Sequence, residues 1–181
     1  MKVSIKKMVA AVLMAGGFVA VNAGVCNIVP GSVTCSKGTV DNLLGNGMVT
    51  VNGTTVSGAT IVNGVLNAEN ANFNLLEVNG SASLIQSTIN NAASIKGSLN
   101  ASSTKFESTL EIFSSETRFI NSKVVSDLRI GHTDSKKQVV YLDNFSEVSG
   151  NIIFEDEDGE VIMRGQSKIG GKVIGGHTTL Q

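Results

Sequence analysis

The chain contains no tryptophan, one tyrosine (Tyr141), one proline (Pro30), two cysteines and two histidines, and only 16% of its 181 residues are charged. Each shortage excludes something. Without tryptophan and with a lone tyrosine, the aromatic platforms usual in polysaccharide-processing β-helices are missing, and such sites also want paired carboxylates or a carboxylate cluster with Arg or Lys. A metal site built on Cys26 and Cys35 would need two further ligands, and His132 and His177 are each far away and alone. No proline follows Pro30, which suits β-ladders that need every backbone N–H.

Long apolar runs are equally scarce. The one at Met8 to Val21 has 14 residues, short of the ~20 that a membrane span requires. It follows Lys2, Lys6 and Lys7 and precedes Val21-Asn22-Ala23, so residues 1–23 read as an export signal cleaved before Gly24. Cys26 lacks a lipid-acceptor context. Removing residues 1–23 from 181 leaves 158, enough for one domain with a continuous core, and no membrane span is expected after cleavage. Losing three of the 14 basic residues leaves 11 against 15 acidic ones, a charge of about −4. That sign gives no support to nucleic-acid or anionic-membrane binding. In an oxidising compartment, periplasmic or extracellular, Cys26 and Cys35 read as a disulfide closing the loop around Pro30-Gly31. Residues 24–47 are expected to form an N-terminal cap carrying this bond, and residues 48–181 the repeat domain.

What the chain does have is a sentence written three times between Val62 and Glu111. Val62-Asn63-Gly64-Val65-Leu66-Asn67-Ala68, Val78-Asn79-Gly80-Ser81-Ala82-Ser83-Leu84 and Ile95-Lys96-Gly97-Ser98-Leu99-Asn100-Ala101 share a β-branched start and a glycine two places on. An apolar residue follows each start by eleven: Phe73, Ile89, Phe106. Starts at Val62, Val78, Ile95, Ile112, Ile130, Val148 and Ile169 give intervals of 16 to 21 residues. This pattern predicts an all-β fold, a single-stranded parallel, right-handed β-helix or solenoid with coils of about 16–18 residues, stacked to bury a shared interior. Inward columns such as Phe73, Ile89, Phe106 and Tyr141 are expected, with Asn67, Ser83, Asn100 and Thr117 in an equivalent polar position. The structural rival is an antiparallel meander, with hairpin turns at Asn46-Gly47, Asn52-Gly53, Asn63-Gly64 and Asn79-Gly80. The repeat weakens after Glu111, where either the register shifts or a loop enters.

The repeats at Val62 to Ala68 and Ile95 to Ala101 resemble those of bactofilins, polymer-forming bacterial cytoskeletal proteins. The resemblance implies a compact β-helix that associates end to end without a nucleotide. The export signal and the disrupted middle depart from that family.

No catalytic motif survives inspection. Ser102-Ser103-Thr104-Lys105 has S-x-x-K spacing among repeat strands instead of on a helix, and the glycines around Gly165 to Lys172 misplace the phosphate-loop lysine by one. The expectation is a non-enzymatic protein without a cofactor. Its role would be structural or interactive, with itself or with an envelope or host-surface protein or glycan as partner. The alternative is a carbohydrate-binding or carbohydrate-cleaving β-helix. Two places stand out where the copying fails. Glu116, Arg118, Asp127, Arg129, His132 and Asp134 form a candidate interaction patch. Glu155, Asp156, Glu157, Asp158 and Glu160 read as an acidic turn at Asp158-Gly159, since Phe154 occupies the first ligand place of what would otherwise be a calcium loop.

Overall fold

A computed structural model of the chain describes residues 25–134 and 137–181. The export signal expected at 1–23 lies outside the described residues. From residue 32 onward the chain winds into a parallel β-solenoid of about nine turns. At about 4.8 Å per coil this makes a stack roughly 40 Å long. No described residue is helical.

Each coil lays down three short strands, one on each of three faces, joined by corners. The first face runs through Gly38–Val40, Lys105–Phe106, Lys123–Val124, Glu147–Val148 and Lys168–Ile169. The second includes Ala93–Lys96, Leu110–Phe113, Leu128–Ile130, Ile152–Phe154 and Val173–Ile174. The third includes Ser32–Cys35, Leu99–Ser102, Glu116–Ile120, Gln138–Asp143, Gly159–Met163 and Gly176–Leu180. In the most regular coils the strands run on through a corner, so Leu43–Asn52, Thr54–Glu69 and Asn72–Ile85 each cover more than one face.

Alternate residues point inward, and stacked coils turn them into columns. On the first face the column is Val40, Val56, Phe73, Ile89, Phe106, Val124, Val148 and Ile169. On the second it includes Val62, Val78, Ile95, Ile112, Ile130 and Phe154. All but Ile169 are buried. Burying a side chain of this size stabilises by about 1.5–3 kcal/mol, and no coil can achieve that burial without its neighbours.

These columns correct three expectations. Tyr141 is not in the Phe73 column; Val124 takes the place after Phe106, and Tyr141 faces outward on the third face between Arg118 and Ile162. Val148 and Ile169 belong to the first face, so they do not continue the second-face series of Val62, which ends its inward apolar run at Phe154. The residue equivalent to Asn67, Ser83 and Asn100 is Arg118, while Thr117 turns into the core beside Leu99. The physical reason is coil length. Ile112 and Arg118 are six residues apart where Ile95 and Asn100 are five, which turns Thr117 inward. Leu99 and Thr117 are 18 apart, but Thr117 and Val140 are 23 apart, because the connection from Ile130 to Gln138 is longer than that from Phe113 to Glu116.

The Asn-Gly steps are corners, not hairpins. Gly47, Gly64, Gly80 and Gly97 stack with φ between 106° and 143°. A Cβ on Gly80 would lie 2.0 Å from the carbonyl oxygen of Gly64. Beside them the Asn63 amide donates to Asn46 at 2.9 Å, and Asn79 donates to Asn63 at 2.8 Å. The antiparallel pairing that does occur joins Cys26–Val29 to Ser32–Cys35 across Pro30-Gly31. The Cys26–Cys35 disulfide closes it. Because Ser32–Cys35 also pairs in parallel with residues 48–51, coil stacking starts well before residue 48.

A second corner column, between the third and first faces, holds Gly53, Asn70, Gln86, Ser103, Asn121, Asn144 and Gly165, all with φ between 47° and 67°. Just past it, hydroxyls turn into the interior. The amide of Ala71 donates to Ser87 Oγ at 3.2 Å, that of Thr104 to Ser122 Oγ at 3.0 Å, and that of Ser122 to Ser146 Oγ at 3.2 Å. The hydroxyls point back at corner carbonyls, as with Ser122 Oγ to Ile120 O at 2.9 Å and Ser146 Oγ to Asp143 O at 2.6 Å. The corner amides, buried and aimed away from the regular ladder, thus acquire partners that would otherwise be absent.

Candidate functional site

The six residues of the expected patch divide among four places. Glu116 and Arg118 face outward on the third face. Arg129 stands outward on the second, between Glu111 and Ile153. Asp127 is a corner residue, with Oδ1 accepting from the Asn151 amide at 2.8 Å and from its Nδ2 at 3.2 Å. His132 and Asp134 lie in the loop that follows Ile130.

That loop is joined to the acidic turn. Phe154 and Gly159 end one strand and begin another on different faces, so residues 155–158 are a coil corner and not a hairpin. His132 Nδ1 contacts Asp156 Oδ1, the Thr133 amide donates to Asp156 Oδ2 at 3.1 Å, and the His132 amide donates to Glu155 Oε2 at 3.3 Å. The hydrogen bond to Asp156, helped by that carboxylate's charge, raises the His132 pKa above its ordinary value. The same bond, with the Thr133 amide, lowers that of Asp156. Further along, Glu160 accepts from Thr179 Oγ1 at 2.7 Å and pairs with Lys137 at 2.7 Å. The Lys137 hydrogen bond is the main reason its pKa is lowered. Glu157 and Asp158 are exposed. Among the described residues no group of three or more His, Cys, Asp or Glu is arranged to hold a metal ion.

Gln138, which did not stand out in the sequence, anchors the loop from below. It is buried, and its Nε2 donates to the carbonyl of Gly131 at 2.8 Å.

The densest arrangement of functional groups is on the third face, and only Arg118 of it was singled out by sequence. Arg118 donates from Nε to Asp143 Oδ2 at 2.8 Å, with Nη2 at 2.7 Å from the same oxygen. Its guanidinium carbon lies 5.4 Å from the centre of the Tyr141 ring. The Arg164 guanidinium lies at the same distance from that ring and donates to Gln181 Oε1 from Nε at 2.9 Å and Nη2 at 2.7 Å. Asp143 is buried, and its Oδ1 has no hydrogen bond; Arg164 Nη1 stands 3.7 Å from it. Two cations therefore share one aromatic ring and one carboxylate.

The two ends of the stack differ. At the N-terminal end the disulfide-closed hairpin pairs with the first third-face strand. At the other end an open depression of about 540 Å³ is lined by residues that include Met163, Ile169, Val173, His177 and Thr178. No family model, no curated protein and no solved structure matches this chain.

Proposed function

We propose that the chain is an exported, non-enzymatic β-solenoid with a structural or interaction role at the bacterial envelope or outside the cell, associating with a second copy through its last coil. The observation that carries this reading is the open end. Met163, Ile169 and Val173 pack on the core yet stay partly uncovered, and Leu180, which continues the inward column of Leu142 and Met163, is 77% exposed. The strands Lys168–Ile169, Val173–Ile174 and Gly176–Leu180 each pair on one side only. Unpaired ladder edges above exposed core residues favour pairing with another chain. The resemblance of the repeats to bactofilins adds support for association without a nucleotide. The disulfide is compatible with an oxidising location, and no described helix is long and apolar enough to cross a membrane.

Sedimentation velocity across a concentration series, with electron microscopy of the same samples, tests the reading. Dimers or longer assemblies that dissociate when Leu180→Lys is introduced are expected. A strictly monomeric species at every concentration overturns the self-association.

A further inference from the structure

We propose that the third face binds an acidic polysaccharide, with Arg118 and Arg164, held against the Tyr141 ring between them, receiving its carboxylate or sulfate groups and Phe145 supporting a sugar ring. This surface is a side of the stack and adjoins the open end at Arg164, which bonds Gln181. It rests on the preceding reading only in taking the partner to be an extracellular polymer.

Charge is the first argument. The chain is acidic overall, yet here two arginines, each about two-fifths exposed, bracket one tyrosine within 5.4 Å. Asp143 serves Arg118 through Oδ2 and reaches Arg164 only at 3.7 Å. Among the described residues, Arg118 Nη1 has no protein partner and Arg164 has only the neutral Gln181 amide as hydrogen-bond acceptor. A ligand oxyanion would supply the second negative charge that the pair lacks, and arginine forks match carboxylate and sulfate oxygens well.

Backbone geometry is the second. The corner that follows Asp143 carries one residue more than that of the coil below: Asn144 and Phe145 adopt φ of 48° and 64° in succession, where Asn121 serves alone. A bulky residue rarely takes this conformation, and such outliers point toward function. Its result is a phenylalanine 64% exposed, two positions from Asp143. Apolar rings presented to solvent stack on the C–H faces of sugars at no charge cost.

The third argument is the track leading to the cluster. Along the solenoid axis, the outward column that leads up to Arg118 and Tyr141 consists of Thr34, Thr50, Asn67, Ser83 and Asn100. These are uncharged hydroxyls and amides, spaced about 4.8 Å apart, that can hydrogen-bond a polyhydroxylated chain. A peptide partner recognised by arginine alone would have no use for such a column.

The test uses the only tyrosine. With no tryptophan in the chain, intrinsic tyrosine emission reports Tyr141 alone. A polyuronate oligomer, a sulfated dextran, neutral dextran and poly-glutamate are titrated at low salt, with isothermal calorimetry in parallel. A change in emission with either acidic glycan, weakened at least tenfold by Arg164→Gln and by Phe145→Ala and unchanged by Arg129→Gln on the second face, is the expected result. Which glycan binds tells carboxylate from sulfate. Asp143→Asn removes the competing carboxylate and should tighten binding, an effect that partial unfolding would not produce. Failure of both acidic glycans, equal binding of neutral dextran, binding of poly-glutamate as tight as that of the glycans, or a folded Arg164→Gln that binds normally each overturns the proposal. The sedimentation result stands apart from all of these.

Discussion

Ser122→Ala should destabilise the protein far more than its small change in volume implies. Ser122 is buried, its hydroxyl donates to the corner carbonyls of Ala101 and Ile120, at 3.1 and 2.9 Å, and accepts from the Thr104 amide at 3.0 Å. Alanine keeps the Cβ and removes only the oxygen. The Thr104 amide, aimed into the interior, then has no acceptor and no access to water. Leaving a buried donor unsatisfied costs about 1–3 kcal/mol. For a chain of this length each kcal/mol lowers Tm by roughly 2–4 °C, so a fall of about 2–12 °C is expected. The control is Ser81→Ala, which removes an exposed hydroxyl bonded to Ser98 at 2.7 Å and should stay within about 0.5 kcal/mol. Thermal unfolding followed by circular dichroism gives the comparison, and amide exchange at Thr104 gives the local readout. Equal Tm values for the two variants, with unchanged exchange at Thr104, would refute the role given to the hydroxyl column.

Gly80→Ala should cost more than about 1 kcal/mol, since φ is 143° and the new Cβ would meet the Gly64 carbonyl. Gly31→Ala, at φ 77° but with no atom within 4 Å of the added Cβ, should cost less, and similar denaturation midpoints for the two would count against close coil stacking. Reducing the Cys26–Cys35 bond should destabilise the N-terminal hairpin by at most about 3 kcal/mol, seen as early proteolysis there while the later coils stay protected. The His132–Asp156 contact should depend on pH. Its contribution is complete below the unfolded histidine pKa and fades as pH rises through the raised folded value; on the acid side it fades as pH falls through the lowered pKa of Asp156. An NMR titration of His132 should therefore drop toward the ordinary value in Asp156→Asn, and an identical titration in both proteins would rule the contact out.

The parts of this fold that sequence disclosed are those set by strict local geometry. Gly64, Gly80 and Gly97 recur because a corner with positive φ, where an added Cβ would lie 2.0 to 2.2 Å from the carbonyl oxygen of the preceding coil, admits nothing larger, and Phe73, Ile89 and Phe106 recur because one column must be filled. Cys26 and Cys35 were readable as a pair because they are the two cysteines of a chain expected in an oxidising compartment. Counting onward at a fixed coil length misplaced Tyr141, Val148 and Ile169, because the long connection between Ile130 and Gln138 shifts every later position while leaving the local alternation intact. The Arg118, Tyr141 and Arg164 cluster was illegible for the same reason: its members are 23 residues apart, and only the stacking of unequal coils brings them together. Ser87, Thr104, Ser122 and Ser146 could have been found. Each comes two residues before an inward apolar residue of the first face, a spacing that sets them apart from the many exposed serines.

The register of the whole stack is the central claim, and spin labels on one outward column measure it directly. Thr39, Lys105 and Lys168 occupy the outward column of the first face, with Lys105 four coils and Lys168 seven coils beyond Thr39. Pulsed electron–electron resonance should give backbone separations of about 19 Å for Thr39 with Lys105 and about 34 Å for Thr39 with Lys168. Two similar distances, or a shorter one for the Lys168 pair, would contradict a single parallel solenoid in this register.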